Sequence, residues 1–434
     1  MKLIFLNRFF YPDHSATSQM LSDLVFALAE RGRTVTVITS RQRYDAPEDT
    51  LVPQETVNGV SIFRVRTSRF GRGNLVGRAI DYATFYLSAA WCLWRLARSG
   101  DVVIAKTDPP MLSVIAVPVC WLRGARLVNW LQDVFPEVAT AAGVGGRGGN
   151  LVFSPLRRLR NRSLAAAEAN VVLGRRMAEH LRSQGVREHQ IRVIPNWQDG
   201  RLVRPVTHEA NPLREAWGLN GKFVVGYSGN LGRAHELDTI MDALALVQSW
   251  QCAGGEKGAA RPEIVCLFIG GGALHATLAE EVARRQLESI EVKPYQPRDQ
   301  LSQSLSIADV HLVTLRPEFE GLIVPSKFYG VAAAGRATLF IGDPDGEIPR
   351  LLSQYACGLS VEPGDGEGLA RAILALSHNP KRYQAMGRRA RTLLEERFDR
   401  GIALEAWVEL FDALQTQPAH GDRWIPRTAS GAEM

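Results

Sequence analysis

Cysteine is scarce in this sequence of 434 residues: Cys92, Cys120, Cys252, Cys266 and Cys357 are scattered, odd in number and set mostly within apolar runs. No spacing among them suits zinc or a disulfide framework, which points to a reducing cytosol. No stretch reaches the roughly 18–20 uninterrupted apolar residues that a bilayer span needs. No Gly-x-Gly-x-x-Gly follows either opening strand pattern, which argues against a dinucleotide-dependent dehydrogenase. No nucleic-acid module pattern is present. The first residues, Met1 to Leu6, reach Asn7-Arg8 too soon for a signal peptide, so none is expected.

The chain is too long for one ordinary domain, and two of about 200 residues are expected. An apolar share of 46% suits a globular protein. Charge is uneven. Residues 1–200 hold 26 Lys+Arg against 16 Asp+Glu, and the remainder 25 against 29, so the halves carry +10 and −4. A basic half without a nucleic-acid module favours an anionic membrane surface as partner.

Residues 2–6 read as a buried strand. Leu21, Leu24, Val25 and Leu28 repeat at i, i+3, i+4, i+7, the apolar face of a helix ending at Arg31-Gly32. Residues 34–38 are the next strand, so the chain opens as a βαβ unit. Residues 82–94 carry no charge and are followed by Arg95 and Arg98; residues 107–122 carry only Asp108. One reading makes them buried or groove-lining helices. The other makes them a monotopic surface, since Trp91, Trp94 and Trp121 beside arginines suit a headgroup boundary. Residues 153–162 add a basic cluster with Arg157, Arg158, Arg160 and Arg162.

A strand at 126–131 delivers Gln132-Asp133 at its C-terminal end, where open α/β sheets bind ligands. The glycine-rich residues 143–149 read as a loop. In the second half, residues 223–227 form a strand followed by the loop 229–236. Further strands are expected at 264–269, 291–295, 309–315, 337–341 and 357–361. Gly270-Gly271-Gly272 signals a tight turn. His311 lies mid-strand and reads as a core histidine. Asp343-Pro344-Asp345 lies in a Gly/Pro turn where acidic residues are ordinary, so no metal site is expected there.

The strand at 309–315 feeds Glu320-Gly321-Leu322-Ile323-Val324-Pro325-Ser326-Lys327, then a small-residue helix running to Gly335. Ser326 is placed to cap that helix, and a helix start suits a phosphate. Lys327 in the first turn is locally unfavourable unless an anion is near.

This stretch resembles the donor-binding segment of glycosyltransferase family 4, the retaining sugar transferases with two Rossmann-like halves (the GT-B fold). It is most similar to the exopolysaccharide and O-antigen branch of colanic-acid type, where Pro-Ser-Lys stands at this point. The family has two glutamates here. Matched on Gly335, their positions fall on Leu322 and Gly330; matched on the proline, on Glu320 and Phe328. The second glutamate, which usually holds the ribose, has no counterpart either way. The family's Arg and Lys in the loop after the second domain's first strand fall on Asn230 and His235. Arg233 and Lys327 are expected to supply those charges, with Arg316 a third candidate.

The resemblance implies an α/β chain of two Rossmann-like doubly wound domains facing a cleft, with a C-terminal helix crossing back to the first. The boundaries are an acceptor domain at 1–195, a linker at 196–212, a nucleotide-sugar domain at 213–398, a crossover helix at 399–415 and a loose tail at 416–434. It implies a transferase of hexosyl or N-acetylhexosaminyl type with no cofactor and no metal. A nucleotide-sugar donor would meet Gly229, Asn230, Arg233, Tyr295, Gln296, Glu320, Pro325, Ser326 and Lys327. Lys327, Arg233, Glu320, Gln132 and Asp133 would carry the reaction. His14, Ser15, Thr17 and Asp133 would meet a lipid-linked glycan acceptor at the inner face of the plasma membrane. The competing functions are a non-catalytic scaffold of the same fold and a sugar-nucleotide epimerase. The epimerase would need acid–base carboxylates and histidines concentrated in one place, and no such concentration is evident.

Overall fold

In the computed structural model, which describes residues 1–13, 15–44, 50–71, 75–253 and 262–416, the chain divides into two compact units. The first holds Met1–Leu131, Arg158–Val171 and the chain from Ala406; the second holds Gln132–Arg157 and Val172–Glu405.

The first unit is built on strands β1 (Leu3–Leu6), β2 (Val35–Ser40), β3 (Gln54–Val57), β4 (Val60–Val65), β5 (Val102–Lys106), β6 (Arg126–Trp130) and β7 (Ala169–Val172). They lie in the order β3-β4-β2-β1-β5-β6-β7. All pairings are parallel except β3 with β4. Every residue of β1 and β5 is buried, as continuous apolar runs are in parallel sheets covered on both faces. Helices α1 (Ala16–Glu30), α2 (Leu75–Leu96), α3 (Leu112–Arg123) and α4 (Ser154–Ala166) follow in the chain. Phe85, Ala89 and Leu93 of α2 and Leu112 and Ala116 of α3 share one core with Ile4 and Val103. Residues 82–94 and most of 107–122 are therefore helical. Their burial is one-sided: Leu87, Trp91, Trp94, Trp121 and Leu122 are exposed. The basic cluster on α4 is also smaller than the sequence suggests. Arg160 is 4% exposed, and Arg157 pairs with Glu137 at 3.2 Å.

The second unit has a short strand β8 (Ile191–Val193) and a six-stranded parallel sheet. Its strands are β9 (Phe223–Ser228), β10 (Ile264–Ile269), β11 (Ile290–Lys293), β12 (Val310–Thr314), β13 (Ala337–Ile341) and β14 (Gly358–Val361), in the order β11-β10-β9-β12-β13-β14. This is the doubly wound order of a dinucleotide-binding sheet, with its reversal between β9 and β12. The corresponding reversal in the first unit falls between β1 and β5. Helices α5 (Arg175–Ser183), α6 (Lys327–Ala333) and α7 (Glu347–Tyr355) belong to the second unit. Its core joins Val225, Tyr227, Cys266, Phe268, Leu312 and Leu339 to helix residues such as Ile240 and Leu244.

The last helix, α8 (Arg400–Thr416), starts in the second unit and passes into the first at Ala406. There the Trp407 ring lies 4.9 Å from Trp130, and Phe411 lies 6.4 Å from Phe5. The crossing helix is thus sewn into the first core by aromatic packing. Residues 143–149, expected as a loop, run into short helical turns at Gly146–Gly148 and Gly149–Val152. Gly145 has φ +90° and lies so close to Gly149 that a Cβ would meet its Cα at 2.9 Å. No described helix is long and apolar enough to cross a membrane.

Candidate functional site

The loops after β9 and β12 meet at the reversal of the second sheet, where ligands bind in open α/β folds. Lys327 stands there at the start of α6. Its Nζ is 2.9 Å from His235 Nε2 and 5.3 Å from the centre of the Tyr227 ring. Burial draws the Lys327 ammonium down to about 8. Burial, and then the neighbouring Lys327 charge, hold His235 at about 4, so the imidazole is neutral. A charged Lys327 can only donate, so Nε2 must be the acceptor. With the imidazole proton on Nδ1, that nitrogen donates to the Gly232 carbonyl 3.0 Å away, and the Gly232 N–H, 2.9 Å from the same nitrogen, finds no lone pair there. His235 thus receives the lysine that comes from α6.

The glycines of this region allow close approach. Gly229 has φ +118°, and a Cβ there would meet Lys327 Cε at 3.1 Å. Gly270 and Gly272 let the turn after β10 fold against residues 229–231: a Cβ on Gly270 would sit 2.4 Å from the Gly229 carbonyl, and one on Gly272 2.5 Å from Asn230 Oδ1. The Leu231 N–H donates to the Gly271 carbonyl at 2.7 Å. The three-glycine turn is therefore part of this site. Tyr295 is 60% exposed with its ring over Gly270 and Gly271, and Gln296 beside it donates to the Pro294 carbonyl. Asn230 and Arg233 are exposed. Lys327 meets His235, and Arg233 is not drawn into that contact. Arg316 pairs with Glu318 at 3.3 Å. Ser326 occupies the cap position of α6 without a side-chain cap bond, while the Pro325 carbonyl accepts from the Phe328 N–H at 3.2 Å.

Glu320 is half-buried, and its carboxyl lies above the usual range because of that burial. Its Oε1 accepts the backbone N–H of Glu347 at 2.9 Å, the first residue of α7. Gly346 makes room, since a Cβ there would lie 2.6 Å from Glu320 Oε2. The Glu347 carboxylate in turn accepts the N–H of Arg176 at 3.1 Å, in the first turn of α5. The Arg176 side chain reaches Glu179 at 3.3 Å and Asp343 at 3.6 Å. Two helix N-termini are therefore satisfied by carboxylates from elsewhere in the chain, as their free N–H groups and dipoles favour. Glu347 and Arg176 carry no local sequence signal of this role, because their partners are distant in the chain.

Gln132 and Asp133 reach the same segment from the other side of the sequence. Asp133 bridges to Ile323, and the Val134 N–H donates to the Leu322 carbonyl at 2.9 Å. Gln132 Nε2 donates to the buried Asn196 at 3.2 Å. Asp343, the first residue of Asp-Pro-Asp, accepts the Asp345 N–H at 2.9 Å in an ordinary turn. His311 is buried in β12 with Nε2 2.8 Å from the Leu305 carbonyl, and burial holds it near 4.

In the first unit the loops after β1 and β5 also meet at the sheet reversal. The Ser15 N–H donates to Asp13 at 2.8 Å, and Thr17 Oγ1 donates to Asp108 at 3.1 Å. Lys106, which the sequence does not single out, is 2% exposed and donates to the Thr17 carbonyl at 2.6 Å. Its Nζ lies 4.0 Å from the centre of the Trp130 ring, and burial draws it down to about 7. His14 lies outside the described residues.

Comparison with known proteins agrees with this architecture. Residues 16–197 match the model of the glycosyl transferase 4-like domain, and residues 210–393 match that of the glycosyl transferases group 1. A curated relative, the probable glycosyltransferase WbjE of Pseudomonas aeruginosa, is 30% identical over 312 residues, covering 72% of this chain and 74% of its own. Among solved structures, HepE of Anabaena in complex with UDP superposes with a TM-score of 0.69 at 15% identity, covering 95% of this chain and 100% of that one. Sucrose-phosphate synthase of Thermosynechococcus elongatus gives 0.73 at 16% identity, covering 95% and 98%. WaaG, a glycosyltransferase involved in lipopolysaccharide biosynthesis, gives 0.67 at 12% identity, covering 93% and 98%. With two doubly wound parallel sheets, both family models and a relative at this identity, the chain belongs to the GT-B glycosyltransferases of family 4 and group 1.

Proposed function

We propose that this glycosyltransferase moves a sugar, with retention of configuration, from a nucleotide-sugar donor to a lipid-linked glycan in the building of a bacterial surface polysaccharide. The observation that carries the reading is Lys327, a half-buried amine at the β9/β12 reversal, packed on Gly229 and oriented by a neutral imidazole. Transfer from a nucleotide sugar breaks the bond between the anomeric carbon and a diphosphate oxygen, and negative charge grows on that oxygen. A cation fixed in a partly dry site stabilises such charge most when it needs no reorganisation. Arg233, exposed in the same loop, is proposed as the second cation on closure over the donor.

Same-face attack assisted by the departing phosphate requires little side-chain base chemistry. Gln132 and Asp133 are proposed to orient the attacking hydroxyl, and Tyr295 with Gln296 to meet the nucleotide base. Glu320 is proposed to meet the donor sugar through Oε2, since its Oε1 is committed to α7. Ser15 and Thr17 are assigned to the acceptor. The domain boundaries given above are retained as a proposal, as are the colanic-acid-type branch and the cytoplasmic, membrane-peripheral location. Asp343 and Asp345 are engaged in a turn and with Arg176, so turnover is proposed to be metal-independent and to survive EDTA.

A screen of UDP-, GDP- and dTDP-sugars by thermal shift tests the reading, since a bound donor raises the melting midpoint. One donor class stabilising the protein, followed by transfer to a polyprenyl-diphosphate glycan, is the expected result. Stabilisation without transfer to any acceptor would favour a non-catalytic scaffold.

A further inference from the structure

Helix α2 is apolar on both faces, yet only one face is used by the core. Phe85, Ala89 and Leu93 are buried. On the opposite side Val76, Ile80, Leu87, Trp91 and Trp94 fall within about 60° of one another and run for about 27 Å along the helix. Leu87 is 74% exposed, Trp91 65% and Val76 69%. The C-terminal end of α3 continues this surface. Arg123 stacks over the Trp94 ring at 5.3 Å and donates to the Ala97 carbonyl at 2.9 Å, and the preceding Trp121 and Leu122 are 67% and 57% exposed. An exposed apolar surface of this extent marks an interaction site.

Its charge is of one sign. Arg78, Arg95 and Arg98 are exposed along and beyond α2, and Arg123 lies at the end of α3. The only acidic residue in either helix is Asp81, which is 2% exposed and occupied by Ser68 Oγ and by the N–H groups of Phe70 and Gly71. A second copy of the chain on a two-fold axis would set this cationic rim against itself. Tryptophan beside arginine around exposed leucine and valine is instead the composition of a helix lying in a headgroup boundary.

We propose that the α2–α3 face is a docking surface for a bilayer containing anionic lipid, with Leu87, Trp91 and Trp121 entering the boundary and Arg95, Arg98 and Arg123 meeting lipid phosphates. The proposal deepens the lipid-linked-acceptor reading and rests on it for its biological purpose. It takes up the surface reading that the sequence offered for Trp91, Trp94 and Trp121 and gives the basic cluster on α4 a lesser part.

The test uses the full chain and vesicles of phosphatidylcholine, with and without phosphatidylglycerol. Wild-type protein is expected to co-sediment with the anionic vesicles, with a blue shift in tryptophan emission. Arg95→Glu/Arg98→Glu should weaken partitioning roughly tenfold or more. Leu87→Ser/Trp91→Ser/Trp121→Ser should abolish it at unchanged melting temperature, because these side chains contribute little to the core. Arg158→Glu/Arg162→Glu on α4 should have a smaller effect. The thermal shift with nucleotide sugar should be the same in all variants, so loss of docking and loss of the transferase reading are told apart. Wild-type protein that ignores anionic vesicles, or binding untouched by the apolar triple substitution, overturns the proposal. So does a dimer, seen by light scattering, that the triple substitution dissociates.

Discussion

At the scale of single residues, the site turns on how one amine is kept charged and in place. Lys327 is poised near 8 by burial, with His235 accepting one of its protons and Gly229 giving it room. In the proposed mechanism the protonated form stabilises the leaving phosphate, so activity should be lost as pH rises through the free-enzyme value. The expected profile is a fall in kcat/KM above about pH 8, since this ratio reports the free enzyme. Lys327→Arg should flatten that limb, because a guanidinium stays charged. Lys327→Ala should lower kcat by about 10²–10³-fold, as loss of one preorganised donor does elsewhere. A folded Lys327→Ala enzyme with normal turnover would refute the role. Gly229→Ala should also impair donor binding, because φ +118° is costly for alanine and its methyl would press on Lys327. Isothermal titration with the donor found in the screen reads this directly, and unchanged affinity would count against the packing argument.

At the scale of elements, the carboxylates near the site serve helix ends. Glu320 accepts the first N–H of α7, and Glu347 accepts an N–H of α5. Removing such an acceptor costs about 1 kcal/mol, or a melting shift of about 2–4 °C in a unit of this size. Glu320→Ala should therefore melt lower, whereas Glu320→Gln keeps a side-chain oxygen and should melt close to wild type. If Glu320 also meets the donor sugar, the Gln variant will lose activity at preserved stability. Equal melting of the Ala variant and wild type would remove the capping role. The sequence put Glu320 forward for the site but did not show its commitment to α7, because Glu347 is 27 residues away. His235 was legible only as a gap in a motif. Lys327 was already expected to supply the missing charge; that its Nζ meets His235 itself required β9 and β12 to be neighbours, a long-range pairing.

At the scale of the whole molecule, α8 makes the first unit depend on the end of the chain. Trp407 and Phe411 are fully buried in a core begun by residues 3–6. Trp407→Ala should cost about 3–5 kcal/mol, as large-to-small changes in aromatic cores do. Urea unfolding followed by circular dichroism reads the cost, and an unchanged midpoint would mean that the aromatic packing contributes little.

The α/β class, the opening βαβ unit, the strand at 126–131, the strands of the second sheet and the position of the Pro-Ser-Lys turn were legible in the sequence alone, whereas β3, β4 and β5 were not. Short apolar runs bounded by turn residues, and helix periodicity between them, are local signals that survive without tertiary context. What only the tertiary structure decided was which partners meet and which apolar faces are left over. Residues 82–94 are equally apolar around the helix, so periodicity could not say which side the core would claim. The fold buried Phe85, Ala89 and Leu93 and left Leu87, Trp91 and Trp94 outside. Arg157 and Arg160, counted as surface charge in the sequence, were drawn to Glu137 and into the interior. Lys106 carried no signal in the sequence; burial and the Trp130 ring make it a perturbed amine. In each case the deciding quantity is exposure, which follows from packing between segments far apart in the chain rather than from the residues themselves.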